Sequence, residues 1–119
     1  NSIGQLGDGT KTDRHAPTQI GNESNWQSIS AGSSHSLAIK ADGTLWVWGY
    51  NYYFQLGDGT RTTRIAPMQI GSETNWQSIS AGSSHSLAIK TDSTLWDWGY
   101  KHGESGYISS PRLIGSDNN

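Results

Sequence analysis

The chain repeats itself. Residues 1–50 and 51–100 align without a gap and agree at 38 positions, and the string NWQSISAGSSHSLAIK runs unchanged from Asn25 to Lys40 and again from Asn75 to Lys90. A period of this length marks an array in which each repeat is one supersecondary unit that buries its apolar face against a neighbour. A string used twice fills one kind of structural place twice, whereas a reactive device needs a single copy. A third, partial copy follows, in which SPRLIGSDNN (110–119) matches APMQIGSETN (66–75) but arrives early. Trp48 to Pro67 is 19 residues and Trp98 to Pro111 is 13, so six residues of the GQLGDGT connection are missing from the second passage.

Within one period the pattern is short strands between turn signals. WQSISAG, HSLAIK and TLWVWGY alternate with period two, and PMQIG is a fourth extended segment after a proline. ADGT and GDGT are tight turns in which glycine supplies positive φ and aspartate bonds its own backbone. Four short strands every fifty residues, punctuated by glycine and aromatics, predict all-β architecture with about two β-propeller blades of four antiparallel strands each. The expected division is a partial repeat over 1–25 with an outer strand at 17–21, a first full blade over 26–75, and a second blade over 76–119 with a shortened connection. Six tryptophans, five tyrosines and fifteen glycines at 32% apolar content fit a core of a few large rings packed on small residues.

SAGSSHSLAIKADGTLWVWGYNYYFQLGDGT resembles the regulator of chromosome condensation repeat, whose blades carry Ala-Gly-x-x-His-(Ser/Thr)-Leu-Ala, then Asp-Gly, then Trp-Gly-x-Asn-x-x-Gly-Gln-Leu-Gly. Two departures stand out. Phe54 replaces the glycine before Gln-Leu-Gly that Gly4 retains, and Asp-Gly becomes Asp92-Ser93. The resemblance implies a propeller that binds proteins. Its best-known activity, nucleotide exchange on a small GTPase with chromatin binding, goes with a complete seven-bladed ring and a basic tail, and a bacterial relative inhibits an enzyme through its loops.

Several function classes recede on composition. A formal net charge of −2 without charge runs gives no long-range field for nucleic acid or an anionic membrane. With no cysteine there is no disulfide framework, thiolate metal site or thiol nucleophile. No apolar stretch is long enough to span a bilayer, and no signal-peptide pattern opens the sequence, so a soluble chain of undetermined compartment is expected. No cofactor is expected.

The repeated residues are read as structural. Ser34-His35-Ser36 and Ser84-His85-Ser86 bring serine beside histidine, but no acid stands at a fixed short offset to orient the imidazole. His35 and His85 are expected to begin inner strands and bond backbone. Trp46 and Trp48, and Trp96 and Trp98, lie two apart in strands and so share a face. With Trp26 and Trp76 they are expected to fill the wedge between blades. Asp8 and Asp58 are turn residues rather than metal ligands, and Arg14 and Arg64 are structural.

Positions where the copies disagree are the candidates for something specific. Val47 becomes Asp97, on the face opposite the tryptophans, so Asp97 is expected to be exposed, paired with a neighbour such as Lys101 or His102, or placed at a chain-to-chain contact. Tyr50, Tyr52, Tyr53 and Phe54 form an aromatic loop that either packs on its own blade or serves as a binding surface. Asp97, Lys101, His102 and Glu104 complete the partner-binding set. Asp97, His102 and Glu104 are also the unrepeated residues an enzymatic alternative would use. Two blades alone leave open faces and edges. The expected remedy is a homo-oligomer closing a ring, six blades in a trimer or eight in a tetramer, with the 17–21 strand completing a neighbour's second blade; a fragment of a longer propeller is the alternative.

Overall fold

A computed structural model describes residues 1–100 and 106–115. It contains eight strands in chain order: β1 Trp26–Ala31, β2 His35–Lys40, β3 Leu45–Gly49, β4 Arg64–Gln69, β5 Trp76–Ala81, β6 His85–Lys90, β7 Leu95–Gly99 and β8 Ile108–Gly115. They form two antiparallel four-stranded sheets, β1-β2-β3-β4 and β5-β6-β7-β8. Corresponding pairs keep one register: Leu37 faces Val47 and Leu87 faces Asp97, while Trp26 and Trp76 precede the same bulge. Each sheet is one blade, and the shortened connection still delivers a fourth strand, with Trp96 opposite Leu113 and Asp97 opposite Arg112.

Local chemistry sets the turns. Asp42 Oδ1 accepts from Thr44 N–H (3.1 Å) and Thr44 Oγ1 (2.6 Å), closing the β2–β3 hairpin around Gly43 at φ +83°. Asp92 and Thr94 repeat the arrangement, and Ser93 takes φ +69° in place of glycine, at a cost of roughly 1 kcal/mol. The departure from Asp-Gly therefore leaves the hairpin intact.

The 17–21 segment differs from expectation. It forms no strand, and residues 17–19 are exposed. A lone extended segment has no ladder to join, and β8 already occupies the free edge of β7. The fourth strand of the first blade also begins earlier than PMQIG, at Arg64, because Gly49 bonds back to Arg64 across a bulge.

One apolar core joins the sheets. Alternation turns Leu37, Ile39, Leu45 and Val47 of the first blade toward Trp76, Ala88 and Trp98 of the second, with Leu56 and Ile70 closing the space between. The outward faces are unequal copies of this joint. Ile39 is 1% exposed and its repeat Ile89 is 40% exposed; Leu56 is fully buried and its repeat Leu6 is 39% exposed. Identical letters differ in burial because one set has a neighbouring blade and the other does not.

Candidate interaction surface

The joint between blades is built from the Gln-Leu-Gly-Asp-Gly-Thr connection. The Gln55 carbonyl accepts from Trp98 Nε1 (2.9 Å) and Ser86 Oγ (2.8 Å), filling both lone pairs. Gly57, at φ +78°, lies flat on the Trp98 ring, and the Gly59 N–H donates to the Ser109 carbonyl on β8 (2.7 Å). Fifty residues earlier the clamp recurs. The Gln5 carbonyl accepts from Trp48 Nε1 (2.9 Å) and Ser36 Oγ (3.1 Å), Gly7 lies on Trp48, and the Gly9 N–H reaches the Ile65 carbonyl on β4 (2.8 Å). Trp26 meets Trp46 and Trp48 edge-on at about 6 Å, as Trp76 meets Trp96 and Trp98. Trp48, Trp76 and Trp98 are the buried members, whereas Lys40 Nζ covers Trp46 (3.8 Å) and Lys90 Nζ covers Trp96 (4.1 Å).

His35 and His85 begin β2 and β6 as expected, and the His35 side chain also reaches across to the next blade. His35 Nε2 lies 2.9 Å from Ser86 Oγ of the next blade. Because the single Ser86 hydroxyl proton goes to the Gln55 carbonyl, Nε2 carries the imidazole proton and donates to the hydroxyl. The relay runs His35 to Ser86 to Gln55, opposite to the direction a general base requires. Ser86 is fully buried, and His35 Nδ1 meets no orienting acid. This is a joint, and its chemistry is structural.

Burial first, and the neighbouring His85 second, pull the His35 pKa from 6.5 to about 4. The unfolded chain therefore binds the extra proton as pH falls from about 6.5 to 4, and stability falls with it. The full loss is roughly 3 kcal/mol. Urea unfolding at pH 7 and pH 4.5 is expected to show most of this difference, and His35→Gln, which cannot take up the proton, is expected to flatten it.

Around each connection an asparagine acts as hub. Asn51, fully buried, donates Nδ2 to Asp58 Oδ1 (3.0 Å), Thr60 C=O (2.8 Å) and Thr62 C=O (3.0 Å), and its Oδ1 accepts from the Leu56 N–H (3.0 Å). Asp58 accepts from Thr60 and pairs with Arg64 Nη2 at 3.0 Å, just as Asp8 accepts from Thr10 and pairs with Arg14 Nε at 2.9 Å. Thr10, with help from Arg14, holds the Asp8 carboxyl at about 2. Both aspartates are thus committed to turns, and no group of metal-ligating side chains occurs among the described residues.

Phe54 takes φ +60°, the conformation Gly4 adopts in the first copy. The loop it belongs to builds an aromatic cluster with residues the sequence did not single out. Tyr53 stacks on Tyr107 (6.1 Å) and meets Tyr52 edge-on (5.2 Å), while Tyr100 lies 5.1 Å from Tyr107. Tyr50 meets Tyr53 at 6.3 Å, and the Arg61 guanidinium lies over Tyr52 (5.2 Å), Phe54 (4.8 Å) and Tyr107 (5.3 Å). Tyr52 and Tyr107 are 51% and 41% exposed. The loop both packs on its neighbours and leaves two rings in water.

Asp97 lies apart from that cluster. It is 2% exposed, opposite the tryptophan face, and Arg112 engages it at both carboxylate oxygens (Nε–Oδ1 3.1 Å, Nη2–Oδ2 3.0 Å). It is therefore not an exposed site residue, and Arg112, one of its partners, comes from β8. Lys101, His102 and Glu104 lie outside the described residues. Among the described residues no helix is long and apolar enough to cross a membrane.

A family model described as the regulator of chromosome condensation repeat matches residues 1–39 and 42–89, and a second model of the same description matches 26–55. The chain belongs to the regulator of chromosome condensation repeat family. Within this repeat family, an X-linked retinitis pigmentosa GTPase regulator homolog of Caenorhabditis elegans is 39% identical over 49 residues, covering 40% of this chain and 4% of that one. The fold is similar to human WBSCR16 (TM-score 0.82, 20% identity, 97% of this chain, 33% of that chain). It is equally similar to Prp20p of Saccharomyces cerevisiae (TM-score 0.82, 22% identity, 97% of this chain, 32% of that chain), described with its binding to Gsp1p and histones. Yeast RCC1 (Prp20) has also been solved bound to Kap60; it is 24% identical to this chain at a TM-score of 0.81, over 97% of this chain and 31% of that one. The repeat chain described here spans about a third of the solved structures it matches.

Proposed function

We propose that this pair of repeat blades is a non-catalytic scaffold for protein–protein interaction, presenting the aromatic loop to a protein partner and working as a ring of three or four copies. The observation that carries the reading is the cluster of Tyr52, Tyr107 and Arg61. Exposed tyrosines braced by half-buried ones, beside an arginine, have the composition of an interface hot spot. Phe54 supports it: a bulky side chain held at positive φ beside this surface is strain that packing alone does not require. Of the residues the enzymatic alternative would use, Asp97 is buried and held by Arg112, and His102 and Glu104 lie outside the described residues. One structural neighbour, yeast Prp20, is described with binding to Gsp1p, histones and Kap60, which supports a protein as the class of partner. Because the chain spans a third of those relatives, exchange-factor-like or inhibitor-like binding by a longer propeller is the second reading.

The test is affinity for a partner isolated with the unmodified chain. Tyr52→Ala with Arg61→Ala is expected to weaken binding at least thirtyfold, about 2 kcal/mol. Unchanged affinity would remove this surface from the function.

A further inference from the structure

Resting on the ring reading, we infer that copies of this chain join head to tail through a second version of the joint already present between its blades, with Leu87, Ile89 and Leu95 of one copy seated on Leu6, Trp26 and Ile29 of the next.

Both halves of that joint are on the molecule. The existing joint sets Leu37, Ile39 and Leu45 against Trp76 and Ala88, with Ile79 packed on the same core. Leu87, Ile89 and Leu95 repeat the first half on the open face of the second blade. Trp26, Ile29 and Ala38 repeat the other half on the open face of the first, where they line a groove with Trp48 and Ile20. The duplicated strings make these letters identical, with one exception: the Asp97–Arg112 pair stands where Val47 and Met68 close the existing joint, so the second joint must accommodate that pair. The polar contacts are duplicated too. Ser30 Oγ accepts from the Ala81 N–H (2.9 Å), Ser33 and Ser83 hydroxyls lie 3.2 Å apart, and His35 reaches Ser86. On the open faces Ser80 and His85 stand on one side and Ala31 and Ser36 on the other, while the Ser33 and Ser83 hydroxyls already face each other in the existing joint. Ser36 already donates its proton to the Gln5 carbonyl, which leaves its oxygen to accept from His85 of the preceding copy.

The connection selects a second copy as occupant. Each joint holds one Gln-Leu-Gly-Asp-Gly-Thr segment, clamped on the tryptophan face of the later blade. The first blade carries its own, residues 5–10, already clamped on Trp48, Ser36 and Ile65. The second blade's connection, between Tyr100 and Tyr107, lacks that segment in sequence. Apposed copies thus bring one segment to the joint, where a full-length connection would bring two into the same space. Leu6, 39% exposed, then gains the cover that makes Leu56 fully buried. Because β8 already pairs with β7, the contact is face to face and needs no strand exchange. A joint of this kind is heterologous: it closes a ring where its rotation divides a full turn and otherwise builds an open filament, so a discrete species of three or four copies is the result that identifies the ring.

Sedimentation velocity on the chain and two variants tests this. Ile29→Glu and Ile89→Glu each change an exposed side chain on one half of the joint, and near-ultraviolet tryptophan spectra check that both fold. The unmodified chain is expected to sediment as one closed species of three or four copies of 12.9 kDa. Each variant alone is expected to sediment as a monomer, and their equimolar mixture as a 1:1 dimer, since one intact half remains on each. An unmodified chain that assembles but is indifferent to both variants would overturn this joint and leave the ring reading standing. A monomeric unmodified chain would overturn both. A mixture that stays monomeric would overturn the head-to-tail pairing.

Discussion

Replacing Arg112 with methionine is expected to lower stability by roughly 3 kcal/mol, and adding Asp97→Val is expected to restore it. The asymmetry follows from burial. Asp97 is 2% exposed, so its charge has given up water and depends on the guanidinium that grips both its oxygens. Removing one member of such a pair leaves a desolvated charge poorly compensated, whereas replacing both with apolar residues of similar size is neutral or stabilising. The first blade supplies the control within the same chain. Val47 and Met68 occupy the equivalent cross-strand positions, and Val47 is fully buried. Asp97→Val alone is expected to cost under about 1 kcal/mol, because the half-exposed arginine can turn to solvent. Urea midpoints for the two single variants and the double variant close the cycle, and a coupling near zero would refute the account of this pair.

Gly57→Ala and Gly59→Ala are expected to differ severalfold in cost although their backbones match. Gly57 has φ +78° and Gly59 φ +80°, so either alanine carries a left-handed penalty of about 1 kcal/mol. At Gly59 no atom lies within 4 Å of the added methyl group, and the penalty ends there. At Gly57 the methyl would stand 2.6 Å from Trp98 Cδ1. Trp98 cannot yield, being buried with its indole nitrogen bonded to Gln55. Overpacking adds roughly 1 to 3 kcal/mol, giving a total near 3. Gly7→Ala meets Trp48 in the same geometry; in the closed ring its segment is enclosed and the cost is expected to match that at Gly57, whereas in a lone chain the segment can lift and the cost falls between the two. Thermal unfolding of the three variants ranks them, and equal costs at Gly57 and Gly59 would mean that the clamp on Trp98 is not what requires glycine.

The fold was legible because repetition and alternation act together. The period located the blades, period-two patterning located three strands of each, and the tryptophan spacing placed Trp46 with Trp48 on one face and Val47 on the other. The joint was less so, since it spans the repeats. His35 meets Ser86, one residue beyond its own repeat His85, and no local pattern announces a contact between successive copies. The partner of Asp97 had a signal available: aligning SPRLIG under APMQIG sets Arg112 beneath Met68, so the two departures, Val47 to Asp97 and Met68 to Arg112, form one compensated change. The buried hub Asn51 also had one, since Asn1 and Asn51 each stand seven residues before the repeated turn aspartate. Tyr107 had none. It comes from the connection that departs from the repeat, and only folding brings it onto Tyr53.

The most direct test of self-assembly is the solution mass of the unmodified chain by light scattering across a concentration series. The joint and its two open halves predict a discrete species at three or four times 12.9 kDa that holds its mass on dilution until it dissociates. A mass of one chain at every concentration would contradict it.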